Sequence, residues 1–352
     1  LWAILDKARR ETNGYAHHIC AGVKAVAVKA GGLKENFNLS SEGVISLPNK
    51  EYPKTFAVEP GTVLKIYNKN GNIDVSGWDR DFVEVDIQGH FLTAFLKEPS
   101  IDIATGKEFV VRTLNSMNLR ITVPKGVVAT HVENSKGKIN VKNVPGDVDV
   151  QTATGEIKIQ GMAGFVKAVT NIGKINVENG SGKVDAKTAT GEIKIQGING
   201  FVKIETNIGK IQGENVSGDV DAKTATGEIK IHKVNGFVKA VTGNGKIDIT
   251  GISGLYEART NNGDISVEVP AIRDSLEIRS HHGKITVFLS PNIVAQLKAS
   301  TSTGNITYQD LPLTVNQSSP TMITGRLGEG GEDSGRINIE TSTGSVTLKK
   351  LV

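Results

Sequence analysis

The chain has 352 residues, with 41 Lys and Arg against 37 Asp and Glu, a formal net charge of +4, 40 glycines, one cysteine and 5% aromatic residues. The slight basic excess is interspersed with acids, which leaves no concentrated patch of the kind nucleic acid needs. The lone Cys20 excludes an intrachain disulfide, and no run of about 20 apolar residues offers a membrane-spanning helix.

Residues 1–50 carry no repeat. Residues 1–10 suit a short amphipathic helix, and residues 22–30, with Val23, Val26 and Val28, alternate in part like a strand. The chain opens on Leu1, as a mature form from which a signal peptide has been removed would, or a fragment. Residues 51–130 hold less regular strands, beginning around residues 64–75 and 83–87. Residues 131–270 are strictly periodic. Residues 271–352 continue in looser form, interrupted by a loop rich in Gly, Ser and Pro at about 316–335.

In the periodic zone a glycine falls at every ninth position from Gly137 to Gly263. Self-similarity at a fixed period marks a repeat architecture. Two phrases alternate. One is Gly-x-Ile-x-(Ile/Val), as at 155–159; the other is Gly-x-Val-x-(Ala/Val/Ile)-x-Thr, as at 164–170. Apolar residues two and four places after the glycine give the period-2 pattern of a half-buried strand, and glycine suits the turns between. The reading is an all-β fold, a parallel β-solenoid with two short strands per turn of the coil.

The coil could have an 18-residue turn, of two phrases, or a 36-residue turn, of four. Identity favours the longer turn, since the phrase at 152–159 returns nearly unchanged at 188 and 224. Charge favours the shorter. The residue after the glycine of successive Ile phrases reads Lys138, Glu156, Lys174, Glu192, Lys210, Glu228, Lys246, Asp264. The third residue of the Val phrases reads Asp149, Lys167, Asp185, Lys203, Asp221, Lys239, Glu257. In the 18-residue coil, opposite charges stack roughly 4.8 Å apart; in the 36-residue coil, like charges would stack, which is destabilising. The shorter turn is therefore the reading. The expected core is an isoleucine row from Ile139 to Ile265, continuing through Ile285 and Ile306. It faces a valine row from Val148 to Val238 that ends on Tyr256. A threonine row from Thr152 to Thr260 is expected to bond hydroxyl to hydroxyl along the axis. A dozen or so layers make a rod of order 60 Å.

Residues 56–79, reading Phe56-Ala-Val-Glu-Pro-Gly-Thr-Val-Leu-Lys-Ile-Tyr-Asn-Lys-Asn-Gly-Asn-Ile-Asp-Val-Ser-Gly-Trp-Asp79, precede many Thr-x-x-Gly-x-Ile-x-Val phrases. Together they resemble the putative-adhesin β-repeat family of bacterial and archaeal envelope proteins, over roughly residues 55–352. The resemblance implies a secreted or surface-exposed β-solenoid with adhesive, structural or envelope-sensing roles. It brings no catalytic residues.

Sharper chemistries fare poorly on the residues. Calcium-gripping repeat-in-toxin coils need stacked carboxylates, whereas here every second layer presents a lysine. Glycan-cleaving β-helices need clustered acids, and these acids are spread along the rod beside lysines. His17-His18 and His281-His282 lack surrounding ligands. No catalytic, metal or cofactor residue is assigned. Phe165, Phe201 and Phe237 directly follow a glycine, so with the neighbouring valines inside they point out, as an apolar stripe that Leu255 would extend. No helical cap follows residues 345–352, so the coil's ends read as open strand edges. The function expected is a non-enzymatic extracellular adhesin-like rod that assembles head to tail with copies of itself, with residues 1–50 as the assembly strand. The alternative is a monomeric envelope module that binds surface glycans through its phenylalanines.

Overall fold

A strand with one apolar face must find partners for its backbone groups on either side. In the computed structural model, which describes residues 38–39, 45–46, 53–88, 100–103, 108–113, 116–329 and 335–352, the partner is the same phrase one turn earlier. Ile139 lies in parallel register with Ile157, and the row advances by the same step through Ile175, Ile193, Ile211, Ile229 and Ile247 to Ile265. Val148, Val166, Val184, Val202, Val220 and Val238 form the facing row. Both rows are buried and belong to one continuous core. The turn is the shorter of the two considered. The expected helix over residues 1–10, Val23, Val26, Val28, Cys20 and the first histidine pair lie outside the described residues.

The predicted charge ladder is present. Lys138 reaches Glu156 at 3.1 Å, Lys174 reaches Glu192 at 3.2 Å, Lys210 reaches Glu228 at 3.0 Å and Lys239 reaches Glu257 at 2.7 Å, each one layer on. Such exposed pairs contribute only about 0–1 kcal/mol each. Their stronger effect is on register, because a slip of one layer sets like against like.

The threonine row is buried but bonds differently from the expectation. Thr188, Thr206, Thr224 and Thr242 do not pair with one another; each hydroxyl donates to the carbonyl of a corner glycine in the preceding layer, such as Thr206 to Gly191 at 3.4 Å and Thr242 to Gly227 at 3.0 Å. The side chain satisfies its own buried oxygen and ties each turn to the strand above it. A further row escaped the sequence reading. Asn143, Gly161, Asn179, Gly197, Asn215, Lys233 and Gly251 recur once per layer, all with φ between 50° and 68°. They bend the first strand of each layer, at a conformation that Gly and Asn accept most readily.

One glycine has no such role. Gly213 stands in the inner row between Ile195 and Ile231, and a methyl group there would meet Ile231 Cγ1 at 3.7 Å, an ordinary contact. Gly213→Ala is therefore expected to stabilise the chain by about 0.5–1 kcal/mol. A urea or thermal melt that shows no gain would overturn this.

The ends of the coil depart from sequence order. At the C-terminal end Ile285 pairs with Val346, and Val346 pairs in turn with Ile306. The last layer of the chain, 335–350, thus lies between layers 275–289 and 295–309. The outer edge of Ala295–Thr303 is met antiparallel by Met322–Leu327, which pairs antiparallel with Leu313–Ser319. The N-terminal end repeats the device. Layer 62–78 lies between 127–142 and 108–124. Antiparallel strands Phe82–Gln88 and Ser100–Ile103 meet the outer edge, and Lys54–Ala57 adds to the former. Two expectations are corrected here. The outer edges are met by antiparallel strands except at Ile306–Gln309, which among the described residues pairs only with Val346–Lys350, and residues 316–327 of the loop expected at 316–335 lie in a hairpin of strands Leu313–Ser319 and Met322–Leu327. Among the described residues thirteen parallel layers stack, from Leu119 and Ile73 through the regular series to Ile285, Val346 and Ile306. At about 4.8 Å each they make a rod of roughly 60 Å.

Candidate functional site

The residue after each glycine of the second corner points outward because the next residue, valine, points in. Six successive layers therefore display Asp147, Phe165, Lys183, Phe201, Asp219 and Phe237 along one edge of the rod. Phe165 and Phe201 are 37% and 40% exposed, as their position predicts. The Lys183 ammonium lies between them, 5.8 Å from one ring centroid and 5.7 Å from the other. Cation–π contact of this kind holds a lysine head over an aromatic face while both stay wet.

Phe237 differs from its two counterparts. The step from Ile265 to Ile285 is longer by two than the regular step, and the bend it makes near residue 273 sets Arg273 over the ring at 4.3 Å. Tyr256 packs beside Phe237 with ring centroids 5.0 Å apart and shares the same guanidinium at 4.9 Å. Leu255 does not extend the stripe. The register shifts between Val238 and Lys239, so that Val238 faces Leu255, which is fully buried, while Tyr256 turns outward. The inner valine row thus ends on Leu255 and not on Tyr256. The opposite corner carries two isoleucines that the sequence reading did not single out, Ile172 and Ile208, each more than half exposed. They sit just past the inner threonine, where the alternation that marked the phenylalanines stops at the turn.

A shallow groove of about 530 Å³ crosses the outer face near the N-terminal end, lined by Tyr67, Arg112, Glu133, Gln151 and Asn171 among others. Its aromatic ring is already stacked with the Arg112 guanidinium at 5.1 Å. Hydrogen bonds from Lys203 first, and from Lys187, hold Glu205 below the usual carboxylate range, and those from Gln160 and Asn176 do the same for Glu178. His281 and His282 are both exposed at a corner, with rings 6.2 Å apart, and do not divide between two faces. Among the described residues no three His, Cys, Asp or Glu side chains gather as a metal site would require, and no helix is long and apolar enough to cross a membrane.

Residues 201–349 match the family model described as Toastrack DUF4097. The match begins at the exposed Phe201 and runs into the last strand, Val346–Lys350. Two solved structures are similar. One is a putative cell adhesion protein from Clostridium sporogenes ATCC 15579, at 13% identity and a TM-score of 0.20, covering 85% of this chain and 99% of the other. The second is a putative adhesin from Bacteroides fragilis NCTC 9343, at 12% identity and a TM-score of 0.30, covering 85% and 96%. Comparison with curated proteins finds no match. Over residues 201–349, then, the chain is similar to Toastrack DUF4097, in line with the resemblance read from its β-repeats.

Proposed function

We propose that the chain is a non-enzymatic adhesive rod that works outside the cell, at its surface, and that its working surface is the edge bearing Phe165, Lys183 and Phe201. One observation carries this reading. In a row whose other members are Asp147, Lys183, Asp219 and the covered Phe237, two large rings stand more than a third exposed, two layers or about 10 Å apart. Exposed rings in a row have no part in holding a core together, and such patches mark contact surfaces. Acids spread in lysine-paired ladders support a passive body. Phe165→Ser combined with Phe201→Ser leaves the core untouched, so the melting curve should stay put. Binding of the purified chain to panels of immobilised glycans and proteins should fall at least tenfold. Retention of wild-type binding by the double variant would remove the edge from consideration.

Head-to-tail assembly into a filament is a second reading. Among the described residues, strand Leu313–Ser319 is paired on one side only, by Met322–Leu327. Its other edge is a template for an added strand, and residues 22–30 of a neighbouring copy have the alternation to supply one. Deletion of residues 1–30 is expected to abolish filaments seen by negative-stain electron microscopy; unchanged filaments would count against the reading.

A further inference from the structure

The edge contains the same two-residue unit twice, four layers apart. In both copies an aspartate is followed one layer on by a phenylalanine whose backbone N–H donates to the aspartate Oδ1 at 2.8 Å, Phe165 to Asp147 and Phe237 to Asp219. That bond fixes each carboxylate beside the next ring and leaves Oδ2 available. In the second copy the chain itself shows what the unit holds. Arg273 lies flat enough to approach Phe237 at 4.3 Å and Tyr256 at 4.9 Å, while its Nη2 comes within 3.7 Å of Asp219 Oδ2. A planar guanidinium can stack on a ring and still turn its N–H edge to a carboxylate, which a lysine head or a neutral sugar does less well. The first copy has the same carboxylate and the same ring facing solvent.

We propose that Asp147 and Phe165 form a seat for an arginine side chain presented by a partner protein. The proposal rests on the aromatic edge being the adhesive surface, and it names the chemistry of what that surface grips. The two copies differ in one respect. Where Tyr256 completes the second, Lys183 stands beside the first, 5.8 Å from the Phe165 ring. Its charge opposes an incoming guanidinium, so a single arginine should bind here more weakly than a seat with two rings. Lys183→Tyr rebuilds the second copy's surroundings and should tighten binding.

The test is a titration of the full-length ¹⁵N-labelled chain with the peptide acetyl-Gly-Arg-Gly-amide, followed at the Phe165 amide. A concentration-dependent shift is expected, with a Kd on the order of 100 mM, as one exposed cation–π contact and one exposed ion pair would give. Asp147→Asn should weaken it about fivefold and Lys183→Tyr should strengthen it about tenfold. Acetyl-Gly-Lys-Gly-amide should bind more weakly than the arginine peptide. Arg273→Ala, at an exposed position, frees the second copy, so that the same arginine peptide should then shift the Phe237 amide. The proposal is overturned if Phe165 does not respond up to 50 mM (about half the expected Kd, where roughly a third of the full shift is due), or if it responds equally to both peptides and in Asp147→Asn. If adhesion is lost in the Phe165→Ser/Phe201→Ser variant but kept in Asp147→Asn, the edge stands as the adhesive surface and the arginine seat falls.

Discussion

Gly191→Ala should be among the most damaging single substitutions in this chain, at about 3–5 kcal/mol. Gly191 has φ of +151°, and a methyl group at its Cα would overlap the carbonyl oxygen of Gly173 directly below it. The obstruction is backbone, so no side chain can swing aside, and the two layers must part. The same corner carries the carbonyl to which Thr206 donates, so the displaced turn also loses its tie to the strand above. Unfolding of a long repeat array need not be two-state. Amide exchange is therefore the better readout, with protection lost first in layers 175–208 and retained toward both ends. Gly213→Ala is the matched control, since it is the same chemical change with the opposite expected sign. A Gly191→Ala chain with wild-type exchange would show that the stacked corners are not as close as described.

Removal of residues 335–352 should cost far more than one layer. In a coil ordered as its sequence is, cutting the last turn would leave every other turn paired as before. Here the last turn lies between layers 275–289 and 295–309, and it supplies buried Ile337, Ile339, Val346 and Leu348 to the core. Each is worth about 2 kcal/mol of burial. Its loss strips 295–309 of every parallel partner and leaves that layer attached only to the hairpin 313–327. Exchange at 295–327 is expected to rise more than 100-fold, to rates typical of unprotected chain, while the 139–265 series stays slow. Slow exchange at 295–309 in the truncated chain would sink the threaded order of layers.

How much of this was legible beforehand varies residue by residue. The length of the turn was legible because charge, unlike identity, separates two phrases from four: Lys138 over Glu156 is allowed and Glu over Glu is not. The outward setting of Phe165 and Phe201 was legible because strand alternation is local and strict. The row from Asn143 to Gly251 was equally open to reading, as Asn and Gly recurring once per turn, but its signal is fainter than the unbroken glycines beside it. Leu255 was misplaced because one inserted residue in a bulge inverts inside and outside. Arg273 over Phe237 could not be read at all. It joins residues from separate layers through a slight lengthening of one of them, which nothing in the local pattern directs to any particular ring.

By itself the sequence determined a parallel coil, its step, its inner rows and the side of the strand on which the aromatics stand. All of these follow from periodicities that act between nearest neighbours and need no knowledge of the rest of the molecule. Only the tertiary structure decided the order of the end layers, the closing hairpin and which aromatic is covered. The phrases at 283–287, 304–308 and 344–348 are alike enough that any one can stack on any other. What selects among them is the hairpin 313–327, which must close the outermost edge antiparallel and so sends the returning chain back between two layers already laid down.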